Sequence, residues 1–401
     1  MNTALAKIRR RLGGLLVQGP KQMPLPSGRG KPRVLIFVVA YPTFSETYMH
    51  EEIRSLSADF DIKIVTYRKS RYPRQRAWEF SQVSYDDPCL VYSPIEAINP
   101  AFDSPDQQRF LRRVDAIIDE FQPDVLHGHY LGLSPLLRVL AERHGIPFTL
   151  RTHSMDILSE PVRKLEAYVA AANSAWCQRL LAFPASCGRL LERGLAAEKL
   201  ASCWPVLNFR AFYRPEKRPP TNRVMCCGPS IPKKAHRDFV DLAGMMRERS
   251  PIAFNLYTRG YSLKAIRTYN AGRGHPVTLS YADPDKMPTV YPQHDWLVYT
   301  SDREINKVGL PVGIAEAQAS GIGVCWQALP GRREEQLDYL GGAGFLFESL
   351  DELPEILSSP YPEEMRLQGF EAARRSDIEE HKHLLADVWN AVSGSSERAA
   401  A

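Results

Sequence analysis

The sequence predicts an α/β protein of two successive parallel-sheet domains facing one another across a cleft. Three observations carry this. From residue 33 onward, short apolar runs of strand character alternate with helix-like segments. A break at 208–221, holding Pro215, Pro219 and Pro220, interrupts that alternation. At residue 222 the alternation restarts and runs on for a similar length. A chain of 401 residues is long enough for two such Rossmann-like domains.

Residues 1–31 form a basic leader and linker. They hold Lys7, Arg9, Arg10, Arg11, Lys21, Arg29 and Lys31 and no acidic residue, so they carry +7 of a chain whose net charge is +5. The remainder is left at −2, which argues against a general nucleic-acid-binding surface. Leu5, Ile8, Leu12, Leu15 and Leu16 recur among the cations at helical spacing. That is the pattern of a short amphipathic helix on an anionic membrane surface, and equally of a partly ordered basic leader. No apolar run reaches the roughly 18 residues of a membrane span, and no small-x-small cleavage site follows the leader. Seven cysteines without a CxxC pair argue against a disulfide scaffold and a structural zinc site. The expected location is the cytoplasm, with peripheral attachment to the inner face of the cell membrane as a further expectation.

The first domain is expected over 32–207. Val34–Val39 is continuously apolar, as a strand buried on both faces requires. A helix at 46–58 and a strand at 61–67 follow. The cations Arg68, Lys69, Arg71, Arg74 and Arg76 then read as a solvated loop. Helix 106–121 precedes strand 123–127, helix 131–143 precedes strand 147–151, and helix 161–174 precedes strand 180–184. Ser186 is placed as the cap of a helix ending near Gly194. The linker is set at 208–221 and the second domain at 222–375, with strands at 222–228, 252–258, 276–280, 295–300, 322–325 and 345–347. Residues 376–401 read as helix and tail with no further strand, expected to return to the first domain.

Open parallel sheets bind ligands beyond the carboxyl ends of their strands. Polar residues gather at those places: His127 and His129, then His153 to Asp156, then Gly228 to Lys234, then Ser301 to Glu304. This reads as a polar cleft with histidines on one wall and a lysine pair on the other. No GxGxxG, Walker A or GxSxG pattern stands at these ends, which argues against a dehydrogenase, a P-loop protein and a hydrolase elbow. A metal cluster of His127, His129, His153 and Asp156 is disfavoured. No HxxxH helix pair or cysteine accompanies it, and the two strand histidines are expected on opposite sides.

Over about residues 33–390 the chain resembles the retaining GT-B glycosyltransferases of family 4. The segment Tyr41-Pro42-Thr43-Phe44-Ser45-Glu46-Thr47-Tyr48 is similar to that family's FPxxSETF loop, His127-Gly128-His129-Tyr130 to its HxHF segment, and Thr152-His153-Ser154-Met155-Asp156 to its THGxD motif. In the second half, Cys227 to Ala235 resembles GRLxxxKG, and Gly309 to Gly321 resembles EGx6EAxAxG.

The resemblance implies a GT-B fold and a hexosyltransferase-like enzyme. It would move a sugar, with retention, from a nucleotide-diphosphate donor to a saccharide or lipid-linked saccharide acceptor in bacterial surface polysaccharide biosynthesis. It implies His153 and Lys234 as the catalytic pair, and Gly228, Lys233, Glu316, Gly309 and Ser301 as donor-binding residues. Ser45, Glu46, His129 and Asp156 would stand on the acceptor side. The nucleotide sugar is the co-substrate, and no metal or other cofactor is expected. Expected partners are that donor, the acceptor and, through the leader, an anionic membrane surface, with no nucleic acid. Three positions depart from the pattern: Pro229 replaces the diphosphate-binding arginine, Val308 the first glutamate, and Ser154 the glycine of THGxD. Lys307, Arg303 and Lys233 are the expected substitutes for the lost charge. A noncatalytic nucleotide-sugar-binding protein on the same scaffold is the alternative reading.

Overall fold

The computed structural model describes residues 30–41, 45–68, 81–84, 105–158, 161–247, 249–305 and 308–399. The leader with its amphipathic pattern, the basic cluster from Lys69 to Arg76, and Lys307 lie outside the described residues. Among those described, no helix is long and apolar enough to cross a membrane.

The chain builds two parallel sheets. The first contains β1 (Arg33–Ala40), β2 (Asp61–Arg68), β3 (Ser81–Ser84), β4 (Val125–His129), β5 (Phe148–Arg151), β6 (Cys177–Ala182) and β7 (Leu200–Ser202). Their spatial order is β3-β2-β1-β4-β5-β6-β7. The second contains β8 (Arg223–Pro229), β9 (Ala253–Arg259), β10 (Val277–Ser280), β11 (Trp296–Tyr299), β12 (Gly323–Gln327) and β13 (Phe345–Phe347), ordered β10-β9-β8-β11-β12-β13. Each order reverses once, between β1 and β4 and between β8 and β11. Crevices at such reversals are where open α/β sheets bind ligands.

Continuous apolar strands explain why both faces of each sheet are covered. Leu35, Phe37, Leu126 and Leu150 enter one core, while Val34, Ile36, Val38 and Val125 enter another on the opposite face. The second sheet divides likewise, with Met225, Leu297 and Val324 on one side and Val224, Cys226, Val298 and Cys325 on the other. Burying a large aliphatic side chain in this way contributes roughly 1.5–3 kcal/mol.

Some expected elements shift. β4 runs through His129 instead of ending at His127, and β6 covers 177–182 instead of 180–184. Ser186 does not cap its helix. The Pro184–Glu192 helix has Phe183 at its N-cap, and Ser186 donates its backbone N–H to the Phe183 carbonyl from inside the first turn. Proline at the first helical position has a preset φ and no N–H to lose, so the helix starts three residues early.

Two stretches of chain join the sheets side by side. Leu207 N–H donates to the Ser376 carbonyl at 2.8 Å, and Ile378 N–H donates to the Leu207 carbonyl at 2.9 Å. Beyond this crossing the Ile378–His381 and His383–Ala399 helices lie against the first sheet. Ile378, Leu385 and Trp389 join the core that holds Val34 and Phe60.

Candidate active site

A cavity of about 400 Å³ opens between the carboxyl ends of the two sheets. That lies within the volume range of small-molecule sites. Its wall from the first sheet includes Ser45, Glu46, Tyr48, Tyr130 and His153. Its wall from the second includes Gly228, Lys233, Lys234, Arg259, Gly309 and Glu316.

On the first wall, Glu46 stands at the start of the Thr47–Leu56 helix and accepts a short hydrogen bond from the Tyr130 hydroxyl. His153 follows β5 directly. Its backbone N–H donates to Asp156 Oδ1 at 2.8 Å, and Asp156 Oδ2 accepts from Leu131 N–H at 2.6 Å. Asp156 thus ties the loop after β5 to the loop after β4 and does not line the cavity. The His153 ring packs among Tyr48 and Tyr130, with centroids 4.8 and 4.7 Å away.

His129 also lies behind the wall. The two strand histidines share one face of β4, since side chains two apart in a strand point the same way. The expectation of opposite sides therefore fails, and their rings meet edge-on with centroids 4.9 Å apart. Burial, together with the Arg151 charge, lowers His127 to about 3. Burial likewise pushes His129 and His153 well below the usual histidine range. All three rings are neutral at physiological pH. Among the described residues, Glu52, His127 and His129 place metal-ligand atoms within 4.8 Å of one another. The Arg151 guanidinium already donates to that Glu52 carboxylate, supplying its counter-charge.

On the second wall, Gly228 adopts φ +134°, a backbone region that disfavours side chains. The turn it permits leads into Pro232–Lys234, which is anchored through its carbonyls. Thr300 Oγ1 donates to the Lys234 carbonyl at 2.7 Å, and Asp302 N–H donates to that of Lys233 at 3.1 Å. Lys234 Nζ sits 4.3 Å from the Tyr299 ring centroid, a cation–π contact. Burial, and next the Lys233 charge, lower Lys234 to about 7. Lys233 is lowered by burial, against which Glu46 across the cleft acts.

Glu316 lies in the Val312–Ala319 helix, whose first turn lines the cavity. Its Oε2 accepts from the Tyr291 hydroxyl at 2.8 Å. Burial raises Tyr291 well above its usual range, so that phenol remains a donor. Gly313 keeps this arrangement close, because a Cβ there would meet the Tyr291 hydroxyl at 3.2 Å. The preceding loop is pinned by Arg332 donating to the Val308 carbonyl and Tyr339 donating to that of Pro311 at 3.1 Å.

The cavity therefore brings together Ser45, Glu46, His153, Gly228, Lys233, Lys234, Gly309 and Glu316. Ser301 is outside its lining: fully buried, it donates its backbone N–H to Gln327 Oε1 at 2.9 Å. Arg303 is not in the lining either and donates to the Glu348 carbonyl at 3.0 Å. The sequence reading missed Arg259. It pairs in register with Pro229 on the adjacent strand and carries its guanidinium to the same wall, 5.3 Å from the Tyr281 ring centroid. No motif marked it, because the two residues are neighbours only through strand pairing. Also missed was the Glu52–Arg151 pair, both members almost fully buried.

Residues 45–198 match the family model described as a glycosyl transferase 4-like domain. No curated protein matches the chain in sequence. Among solved structures, Anabaena HepE in complex with UDP and glucose is similar at 14% identity and a TM-score of 0.66, covering 90% of this chain and 100% of its own. Sucrose-phosphate synthase from Thermosynechococcus elongatus gives 14% identity, a TM-score of 0.66, and 91% and 100% coverage. The lipopolysaccharide outer core galactosyltransferase WaaB gives 14%, 0.58, and 88% and 99%.

Proposed function

From a chain that has the GT-B fold and is related to the family 4-like glycosyltransferases, we propose a retaining transferase that moves a sugar from a nucleotide-diphosphate donor to a saccharide acceptor. One observation carries the reading. A single cavity joins Lys234, the Glu316–Tyr291 pair and the Gly309 loop on one wall to His153 and Glu46 on the other.

The donor lies on the second wall. Glu316, held by Tyr291, accepts from the ribose hydroxyls. Lys234, Arg259 and the first N–H groups of the Val312–Ala319 helix face the diphosphate, where negative charge grows as the glycosidic bond breaks. His153, neutral and buried, contacts the sugar rather than attacking it. The acceptor enters past Ser45 and Glu46. Closure of the cleft excludes water and limits hydrolysis of the donor. The nucleotide sugar is a co-substrate, and every group assigned here is a side chain or backbone amide.

UDP-glucose is the first donor to assay, since HepE has been solved with it. The finer reading is a lipid-linked saccharide acceptor in surface polysaccharide assembly, at a membrane reached through the basic leader. It rests on the leader's +7 charge. The deciding assay is nucleoside diphosphate release that requires an added acceptor. Donor binding without release, across a panel of donors and acceptors, would reject catalysis. It would favour the binding-protein reading, which Pro229 and the buried Val308 support.

A further inference from the structure

Behind His153 lies a line of buried polar groups that the scheme above does not use. Trp389 Nε1–H, which can only donate, bonds to Thr149 Oγ1 at 2.9 Å. Thr149 Oγ1 also lies 2.8 Å from His127 Nδ1. Glu52, His127 and His129 each bring a side-chain N or O atom within 4.8 Å of the others. His127 Nε2, His129 Nε2 and Glu52 Oε1 are buried without a hydrogen-bond partner among the described residues.

The charge on Glu52 decides the next step. Its Oε2 accepts from Arg151 Nη1, deep in the protein, and a buried guanidinium without a counter-charge is strongly unfavourable. Glu52 is thus the carboxylate of an ion pair. Its Oε1 stands 3.7 Å from His129 Nε2, where it attracts an N–H and repels a lone pair. His129 is held with its proton on Nε2 and Nδ1 left as an acceptor. His129 Nδ1 is 3.2 Å from His153 Nε2, so His153 must donate there. What remains is His153 Nδ1, a buried lone pair with no hydrogen-bond partner among the described residues, on a ring that lines the cavity.

We propose that Glu52 and His129 are positioning residues. They fix His153 as the Nε2–H tautomer, so that its Nδ1 accepts a hydrogen bond from a hydroxyl of the donor sugar. The ligand half of this statement rests on the glycosyl-transfer reading; the tautomer half rests on the buried contacts alone. The consequence is selectivity, because a donor lacking that hydroxyl leaves a buried acceptor unmatched.

Long-range proton–nitrogen correlation spectra of the full chain, labelled with ¹⁵N-histidine, test the tautomer directly. The expected pattern is a protonated Nε2 and an unprotonated Nδ1 on both His129 and His153. Protonation on His153 Nδ1, or averaging between its nitrogens, overturns the proposal. Adding UDP-glucose should then shift His153 Nδ1 as it accepts a hydrogen bond. If UDP-glucose binds and this resonance stays put, the hydroxyl contact is wrong. If UDP-glucose does not bind, the choice of donor fails, and the spectrum of the free protein alone decides the positioning claim.

Two variants separate positioning from packing. His129→Asn keeps an acceptor near the Nδ1 place, whereas His129→Leu does not. The preference for UDP-glucose over UDP should fall about tenfold in His129→Leu, the scale of one hydrogen bond, and be largely kept in His129→Asn. Equal losses in the two variants, or equal weakening of UDP itself, overturn the role.

Discussion

Lys234 is the residue whose surroundings make the sharpest demand. At a pKa of about 7 it is cationic below neutrality and neutral above it in the free protein. A diphosphate that recognises the cation must bring a proton with it at higher pH. Donor affinity should therefore be flat below pH 7 and fall by up to about tenfold per unit above it. Calorimetry at pH 8 in buffers of different ionisation enthalpy reads this as proton uptake, and heats independent of buffer would exclude it. Glu316→Gln should weaken nucleotide binding by about 1–3 kcal/mol by removing a charged acceptor from Tyr291 and the ribose; unchanged affinity would take Glu316 out of the site. Arg259→Ala should weaken UDP more than uridine, because a guanidinium beside Pro229 serves the diphosphate. Equal effects on both ligands would assign Arg259 to the base. Much of this wall was legible as strand-end motifs. Glu52 and Arg151 went unread, although their positions carried a signal. Glu52 falls on the inward stripe of its helix with Met49, Ile53 and Leu56, and Arg151 ends a fully buried strand. Charged residues at inward positions announce each other, but sequence separation hides which pair will meet.

At the scale of elements, legibility followed burial. Strands covered on both faces, such as β1, β8 and β11, announce themselves as apolar runs. The edge strands β3, Ser-Gln-Val-Ser, and β7, Leu-Ala-Ser, went unforeseen. Neither carries an apolar run like that of the edge strand β13, Phe-Leu-Phe, so pairing to a neighbour defines them more than their own sequence does. A different element carries a stability prediction. β12 begins at Gly323, beside β11, and a Cβ there would stand 2.2 Å from the Trp296 ring. Trp296 is buried among Phe345 and Tyr361 and has no room to retreat. Gly323→Ala should cost about 1–3 kcal/mol by overpacking. A thermal melt unchanged from the parent would show that the two strands can separate locally.

For the whole molecule, the C-terminal helix matters more than its terminal place suggests. Trp389 is fully buried, meets Phe60 edge-on with centroids 5.1 Å apart, and donates to Thr149. Trp389→Ala should destabilise the protein by about 3–5 kcal/mol, measured by chemical denaturation. A loss confined to the last helix, seen as local hydrogen exchange with the rest unchanged, would mean that the helix is only an appendage. The paired crossing at Leu207 and Asp377 has a consequence for anyone who dissects the protein. The first sheet's unit is written in two places along the gene, with the whole second sheet inserted between them. A fragment cut at residue 207 would lack its own final helix and should be insoluble or molten. Supplying residues 377–401 as a separate peptide should restore it in trans. The second unit, contiguous in sequence, should fold from a single uninterrupted clone.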